Sequence, residues 1–73
     1  MVMHQVKSSN ILQIGYDPKI KILLVKFKND VMYEYSEVPS GIYKNFIGAP
    51  SLGKYFALQI KGKFPYKVAT EIK

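Results

Sequence analysis

Two short stretches of this chain carry the residue types best suited to hold a ligand. These are Ser51-Leu52-Gly53-Lys54 and Tyr33-Glu34-Tyr35. Ser51 follows Pro50 and is an N-cap candidate. A helix N-terminus presents backbone N–H groups and partial positive charge. A glycine in its first turn lets an anion come close, and Lys54 adds a full charge. Ser51, Gly53 and Lys54 are therefore a candidate phosphate site. The Gly-x-x-x-x-Gly-Lys-Ser/Thr spacing of a P-loop is absent. The plainer alternative is a capped helix with a small residue where two elements touch. Tyr33 and Tyr35 share one face of a strand, because strand side chains alternate. Exposed, they would be a platform for stacking bases, interleaved with lysines; buried, they would be core.

Catalytic chemistry has little to draw on. The one histidine, His4, falls in an alternating strand pattern near the N-terminus, where a structural or surface role suits it. The carboxylates are Asp17, Asp30, Glu34, Glu37 and Glu71. Asp17 and Asp30 read as turn residues, and nothing holds Glu34 and Glu37 as an acid–base pair. No catalytic residue is assigned, and a non-enzymatic role is expected. With no cysteine and one histidine, neither a disulfide framework nor a transition-metal site is expected, and no cofactor is implied. A secreted protein of this size would usually carry staples, so their lack points to the cytoplasm. No apolar run approaches the ~18 residues of a membrane span, and MVMHQVKSSN lacks the pattern of a signal peptide. No membrane partner is expected.

The chain has 73 residues and a net charge of +6, from eleven lysines and five acids with no arginine. That balance suits an anionic partner, although a lysine-rich surface also serves solubility. Lysine favours sequence-blind contact with phosphate over the bidentate reading of guanine that arginine provides.

These groups must be positioned by one domain spanning 1–73, with a modest core. Met3 to Lys7 reads as a short strand, with Val2, His4 and Val6 on one side. Ser8-Ser9-Asn10 is a turn cluster. A second strand covers about Ile11 to Tyr16, and Asp17-Pro18 ends it. A third runs from Lys19 to Phe27. Ile20 and Ile22 are out of phase with Leu23 and Val25, which predicts a bulge near Ile22-Leu23 or burial on both faces. The next turn can be derived. A three-residue loop, Lys28-Asn29-Asp30, pairs Phe27 with Val31, Val25 with Tyr33 and Leu23 with Tyr35. This gathers the apolar and aromatic residues on one face. Such a loop closes with a residue in the left-handed region, here Asp30. The same register turns Tyr33 and Tyr35 inward, toward a core role, with hydroxyls able to reach the rim of a groove. Leu24, Lys26, Met32 and Glu34 fall on the opposite, mixed face.

After Val38-Pro39 the period changes. Ser40 is expected to cap a helix with its stripe at Ile42, Tyr43, Phe46 and Ile47, stopped by Gly48 and Pro50. A second helix is expected over Leu52 to Lys61, closed by Gly62. Its inward stripe is Leu52, Tyr55, Phe56 and Ile60; Lys54, Leu58 and Lys61 fall on the other side. The stretch from Lys63 to Val68, with Pro65 inside it, reads as extended or as an edge strand. The expected fold is α+β: a small antiparallel meander of three to four strands followed by two short helices packed on one face.

The order of these segments resembles the KTSC domain family. The residues that carry the resemblance are Ser8-Ser9-Asn10-Ile11, Ile14-Gly15-Tyr16-Asp17-Pro18 and Leu23-x-Val25-x-Phe27. Tyr33-x-Tyr35, Val38-Pro39 and Ser51-x-Gly53-Lys54-Tyr55-Phe56 follow. The likeness covers about Val6 to Tyr66. The family takes its name from the C-terminus of some lysyl-tRNA synthetases and also occurs as small free-standing bacterial and phage proteins. Tyr33 and Tyr35 match its Tyr-x-Tyr hallmark, whereas Asn29-Asp30 stands where its turn has Asn-Gly. The resemblance implies an RNA-binding role through the synthetase context and brings no catalytic residues.

The leading expectation is a module that binds nucleic acid, RNA favoured over DNA, through Lys54, Lys61, Lys63 and Lys67 with Tyr33 and Tyr35. One alternative is a protein-interaction module, such as a phage-encoded inhibitor of a host protein, using exposed apolar residues such as Leu58 and Met32. Another is capture of a small nucleotide at Ser51 to Lys54.

Overall fold

The computed structural model describes residues 3–69. Val2 and Glu71, named above, lie outside the described residues. Five strands form one antiparallel sheet: β1 (Met3–Gln5), β2 (Ile11–Asp17), β3 (Ile22–Phe27), β4 (Met32–Tyr35) and β5 (Tyr66–Val68). They lie side by side in chain order. Between β4 and β5 the chain forms α1 (Ser40–Ile47) and α2 (Leu52–Tyr55), and α2 continues as a π-helical turn over Phe56–Ile60. The meander and two helices follow the expected α+β plan, and the stretch around Pro65 becomes a fifth strand at the sheet edge.

The β3–β4 hairpin takes the derived register. Leu23 faces Tyr35 and Val25 faces Tyr33. The Phe27 amide donates to the Val31 carbonyl at 2.9 Å, and the Asp30 amide donates to the Phe27 carbonyl at 2.9 Å. Asp30 has φ 68°, the left-handed position that closes a three-residue loop. Asn29 Oδ1 accepts from the Val31 amide and fixes the turn from within.

The bulge is displaced from its expected place. β3 pairs with β2 without interruption from Ile22 to Lys26, and the register shifts between Ile11 and Gln13. The extra residue lets Ile11, Ile14 and Tyr16 face the same side although their spacing breaks strict alternation. Ile11 and Ile14 are fully buried as a result. Ile20 is out of phase because it lies in the β2–β3 turn, not in a strand, and is 62% exposed. That turn is organised by Asp17, whose Oδ1 accepts from the Lys19 amide, and by Lys21 at φ 56°. β3 therefore begins at Ile22 rather than Lys19, and β1 ends at Gln5 rather than Lys7.

Both helices cover the face that carries Leu23, Val25 and Tyr35. Phe46 of α1 and Phe56 and Ile60 of the second helical segment complete the buried cluster with Ile11, Ile14 and Val38. Pro39, not Ser40, occupies the cap of α1, and no side chain caps it. The Pro39 carbonyl accepts from the amides of Ile42 and Tyr43, so Ser40 is already the first helical residue. Ile47, expected on the inward stripe, is 49% exposed. At the second helix Ser51 caps as expected, its Oγ accepting from the Lys54 amide at 3.3 Å.

Regular α-geometry ends at Tyr55, well short of the expected Lys61. The Lys61 amide then donates to the Phe56 carbonyl at 2.8 Å, an i to i+5 closure, and Gly62 follows at φ 77°. In an α-helix Lys61 would sit about 140° around the axis from Phe56. The wider turn sets its amide against the Phe56 carbonyl instead.

Candidate functional site

A cleft of about 510 Å³ opens between the β4–β5 side of the sheet, the β3–β4 loop and the second helix. Its aromatic wall is Phe27, Tyr33, Tyr35, Tyr66 and Phe56. The rings hold one another edge to face: Phe27 against Tyr33 at 5.5 Å, Phe27 against Phe56 at 5.2 Å and Tyr33 against Tyr66 at 5.7 Å. Tyr35 stacks on Tyr66 at 5.4 Å. Quadrupole attraction of this kind stiffens the wall beyond its buried area.

The two central tyrosines divide their labour. Tyr35 is 3% exposed and belongs to the core. Burial pushes its phenol above the ordinary range, with Tyr66 and then Tyr33 adding to the effect. Tyr33 is half-buried and presents itself to the cleft. The inward register expected for the pair is observed, and Tyr33 also serves the groove because the helices stop short of it.

The polar rim has three sources. Lys28 and Asn29 come from the hairpin loop, Ser9 and Asn10 from the β1–β2 connection, and Lys61 from the end of the π turn. The first two sources are tied together, since the Lys28 amide donates to the Asn10 carbonyl at 2.8 Å. Ser8 Oγ accepts from the amides of Asn10 and Ile11 and shapes the other side. Asn29 spends its side-chain oxygen on Val31, which leaves its NH₂ group to donate. Gly53 borders the same rim, and a Cβ there would meet Asn10 Nδ2 at an ordinary 3.8 Å. Two ammonium groups and no carboxylate line the cleft among the described residues.

The expected site residues are thus partly gathered and partly dispersed. Lys61, Gly53, Tyr33 and Tyr35 meet at the cleft. Lys61, expected on the outer side of the helix with Lys54 and Leu58, instead follows the π turn in extended backbone and lines the cleft. Lys54 and Lys63 are exposed outside the cleft lining, and the Ser51 hydroxyl is engaged as the cap of its own helix. Lys67 is turned away: it pairs across the strands with Glu34, and its Nζ lies 3.9 Å from Glu34 Oε2 on the open face of the sheet. Phe27, Lys28, Asn10, Phe56 and Tyr66 are cleft residues that reading the chain in segments did not assign. The hairpin register did carry a signal for Lys28, which must follow Phe27 at the end of the aromatic face. Among the described residues no group of three or more His, Asp or Glu comes together, and no helix is long and apolar enough to cross a membrane.

Comparison with known proteins places this architecture. A lysine–tRNA ligase of Nostoc punctiforme is 36% identical over 61 residues, covering 84% of this chain and 11% of the ligase. The chain thus spans about a tenth of that relative's length. A protein of Tsukamurella paurometabola is 36% identical over 62 residues, 85% of this chain and 92% of that protein. The crystal structure of a KTSC domain protein from Yersinia pestis superposes with a TM-score of 0.89 at 40% identity, covering 92% of this chain and 94% of that one. The family model for the KTSC domain matches residues 7–64, which takes in β2 to β4, both helices and all of the cleft except Tyr66. By that match and by its fold, the chain belongs to the KTSC domain family.

Proposed function

We propose that this protein is a non-enzymatic module that binds single-stranded nucleic acid, RNA in preference to DNA, in the cytoplasm. The observation that carries the reading is the cleft itself: aromatic rings on one wall, Lys28 and Lys61 at the rim, and no carboxylate among its described lining residues. Stacking on aromatic rings suits any base, and lysines suit phosphate without regard to sequence. The net charge of +6 favours approach of a polyanion. RNA is preferred because a relative that acts on tRNA carries a matching segment.

Fluorescence anisotropy with a labelled mixed-sequence RNA at low salt tests the reading. Binding should weaken steadily with added salt, and Tyr33→Ala and Lys61→Ala should each weaken it further. A DNA strand of the same sequence should bind less tightly. No binding at low salt removes the proposal.

A protein partner is the second reading, favoured by the outer edge of β5. Tyr66 and Val68 are 59% and 52% exposed there. A pull-down with nuclease present separates the two, because a partner that survives nuclease is held by protein contacts.

A further inference from the structure

We propose that the cleft is a complete site for one nucleoside phosphate, so that a nucleic-acid strand contributes a single terminal unit rather than lying along the surface. The inference rests on the cleft reading above and names its ligand. Three observations converge on it.

The first is size. About 510 Å³ in an open cleft is room for one small ligand, within the about 300–1,000 Å³ usual for such sites. The aromatic wall is continuous from Phe27 through Tyr33 to Tyr66, so it offers one base a surface with edges already fixed.

The second is the placement of charge. Lys28 and Lys61 approach the cleft from different elements and converge on it. No third lysine lines the cleft among the described residues: Lys54 and Lys63 are exposed near Gly53 and Lys61 in the chain but fall outside the lining. Lys67 lies beside Glu34 on the open sheet face, and Lys26 shares that face by alternation with buried Val25. Lys19 and Lys21 lie in the β2–β3 turn, at the far end of β3 from Lys28.

The third is the π turn. Such wide turns are rare overall and are frequent at functional sites. Here the residue that closes it is Lys61, one of the two cleft cations. In addition, the rim offers the Asn29 NH₂ group and the Asn10 side chain, donors able to meet a phosphate or a ribose or base edge.

The ligand chemistry is a base joined to a phosphate, which either a free mononucleotide or the end of a strand supplies. Calorimetric titration of the whole chain with adenosine 5′-monophosphate, adenosine, a linear 5′-phosphorylated 12-mer of adenylate and its circularised form separates these. The monophosphate should bind at least about tenfold more tightly than adenosine, through its charge-assisted contacts. Lys61→Ala and Lys28→Ala should each remove most of that difference while leaving the melting temperature nearly unchanged. For a strand end, the linear 12-mer should bind about as tightly as the monophosphate and the circle far more weakly. Its log-affinity against log-salt slope should be near −1.4, for about two phosphate contacts. Binding of the monophosphate without either 12-mer would support the site and identify free nucleotide as the source, at the expense of the strand-binding reading. A 12-mer that binds much more tightly than the monophosphate, equally well when circular and with a slope steeper than about −3, would overturn the single-unit site and leave strand binding standing. Silence from all four probes removes both.

Discussion

On the β2 side of the covered sheet face, Tyr16 stacks on Tyr43 at 4.6 Å and donates its hydroxyl to the Val38 carbonyl. On the β4–β5 side, Tyr33 meets Phe27 and Tyr66 along the wall of an open cleft. The residue types are the same and so is the face. What differs is the cover. α1 lays Tyr43 over the first cluster, and the connection leading into α1 supplies Val38, the acceptor for the Tyr16 hydroxyl. Over the second, the helix is only four residues of α-geometry before it widens, and the sheet face beyond Phe56 is left open. One cluster spends its tyrosines on stability, and the other keeps a ring surface available to a ligand.

That contrast can be broken at several points. The largest effect should come from Phe46→Ala on the closed side. Phe46 is fully buried and stacks on Tyr55 at 5.7 Å. Its loss should cost about 3–5 kcal/mol, enough to leave a domain of this size largely unfolded in a urea titration.

Next in size is the exchange of roles between the two clusters. Tyr33→Ala should lower affinity for single-stranded RNA by about 1–3 kcal/mol, the worth of one stacked base. Tyr43→Ala should lower stability and leave the affinity of the folded fraction unchanged. Equal effects of the two on binding would erase the distinction.

Tyr16→Phe keeps the ring stack and deletes the hydroxyl donor to Val38. About 1 kcal/mol should be lost, a fall of roughly 4–8 °C in melting temperature. Alkaline pH probes both clusters at once. Burial raises the Tyr35 phenol above 10.0, with Tyr66 and Tyr33 contributing. Burial also raises Tyr16, with the charge of Asp17 adding. The unfolded chain ionises first, so this stability is fully present below about pH 10 and is lost as pH rises through the folded values. Tyr35→Phe should flatten the fall in melting temperature above pH 10.

The smallest effect belongs to the hairpin loop. Asp30→Gly relieves a left-handed residue at φ 68° and should raise stability by about 0.5 kcal/mol after the added freedom of the unfolded chain is counted. A lowered melting temperature would mean that the Asp30 side chain contributes more to the loop than its backbone strain costs.

How far the sequence could be read follows from where each signal resides. The β3–β4 register was legible because alternation on both sides of a short loop admits one pairing that keeps the apolar residues together. Ser51 was legible as a cap because its partner is three residues away. The bulge was misplaced because apolar residues at Ile11, Leu12 and Ile14 look alike, and the extra residue is defined by its partner strand. Ser40 resembled a cap by type, but the Pro39 carbonyl already accepts the first helical bonds. The π turn was hidden because Phe56 and Ile60 have the same spacing in either kind of helix. The cleft was the least legible feature. Its residues come from the β1–β2 connection, β3 and its loop, β4, the second helix and β5, and only the folded chain brings Asn10 beside Lys28 or Tyr66 beside Tyr33. The two lysine sets show the same limit: Lys61 and Lys67 read alike in the chain, and the fold sends them to different faces.

β5 has a consequence for the order in which the molecule assembles. The first four strands are joined by short turns, so their pairing closes small loops and can form early. β5 reaches β4 only after some thirty intervening residues, and it is three residues long and exposed throughout. It should therefore dock last and fray first, with its amides exchanging hydrogen faster than those of β3. Tyr66 travels with it. The pocket wall is then the last part of the native structure to form, and a ligand seated against Tyr66 would slow exchange at β5 without touching the amides of β2.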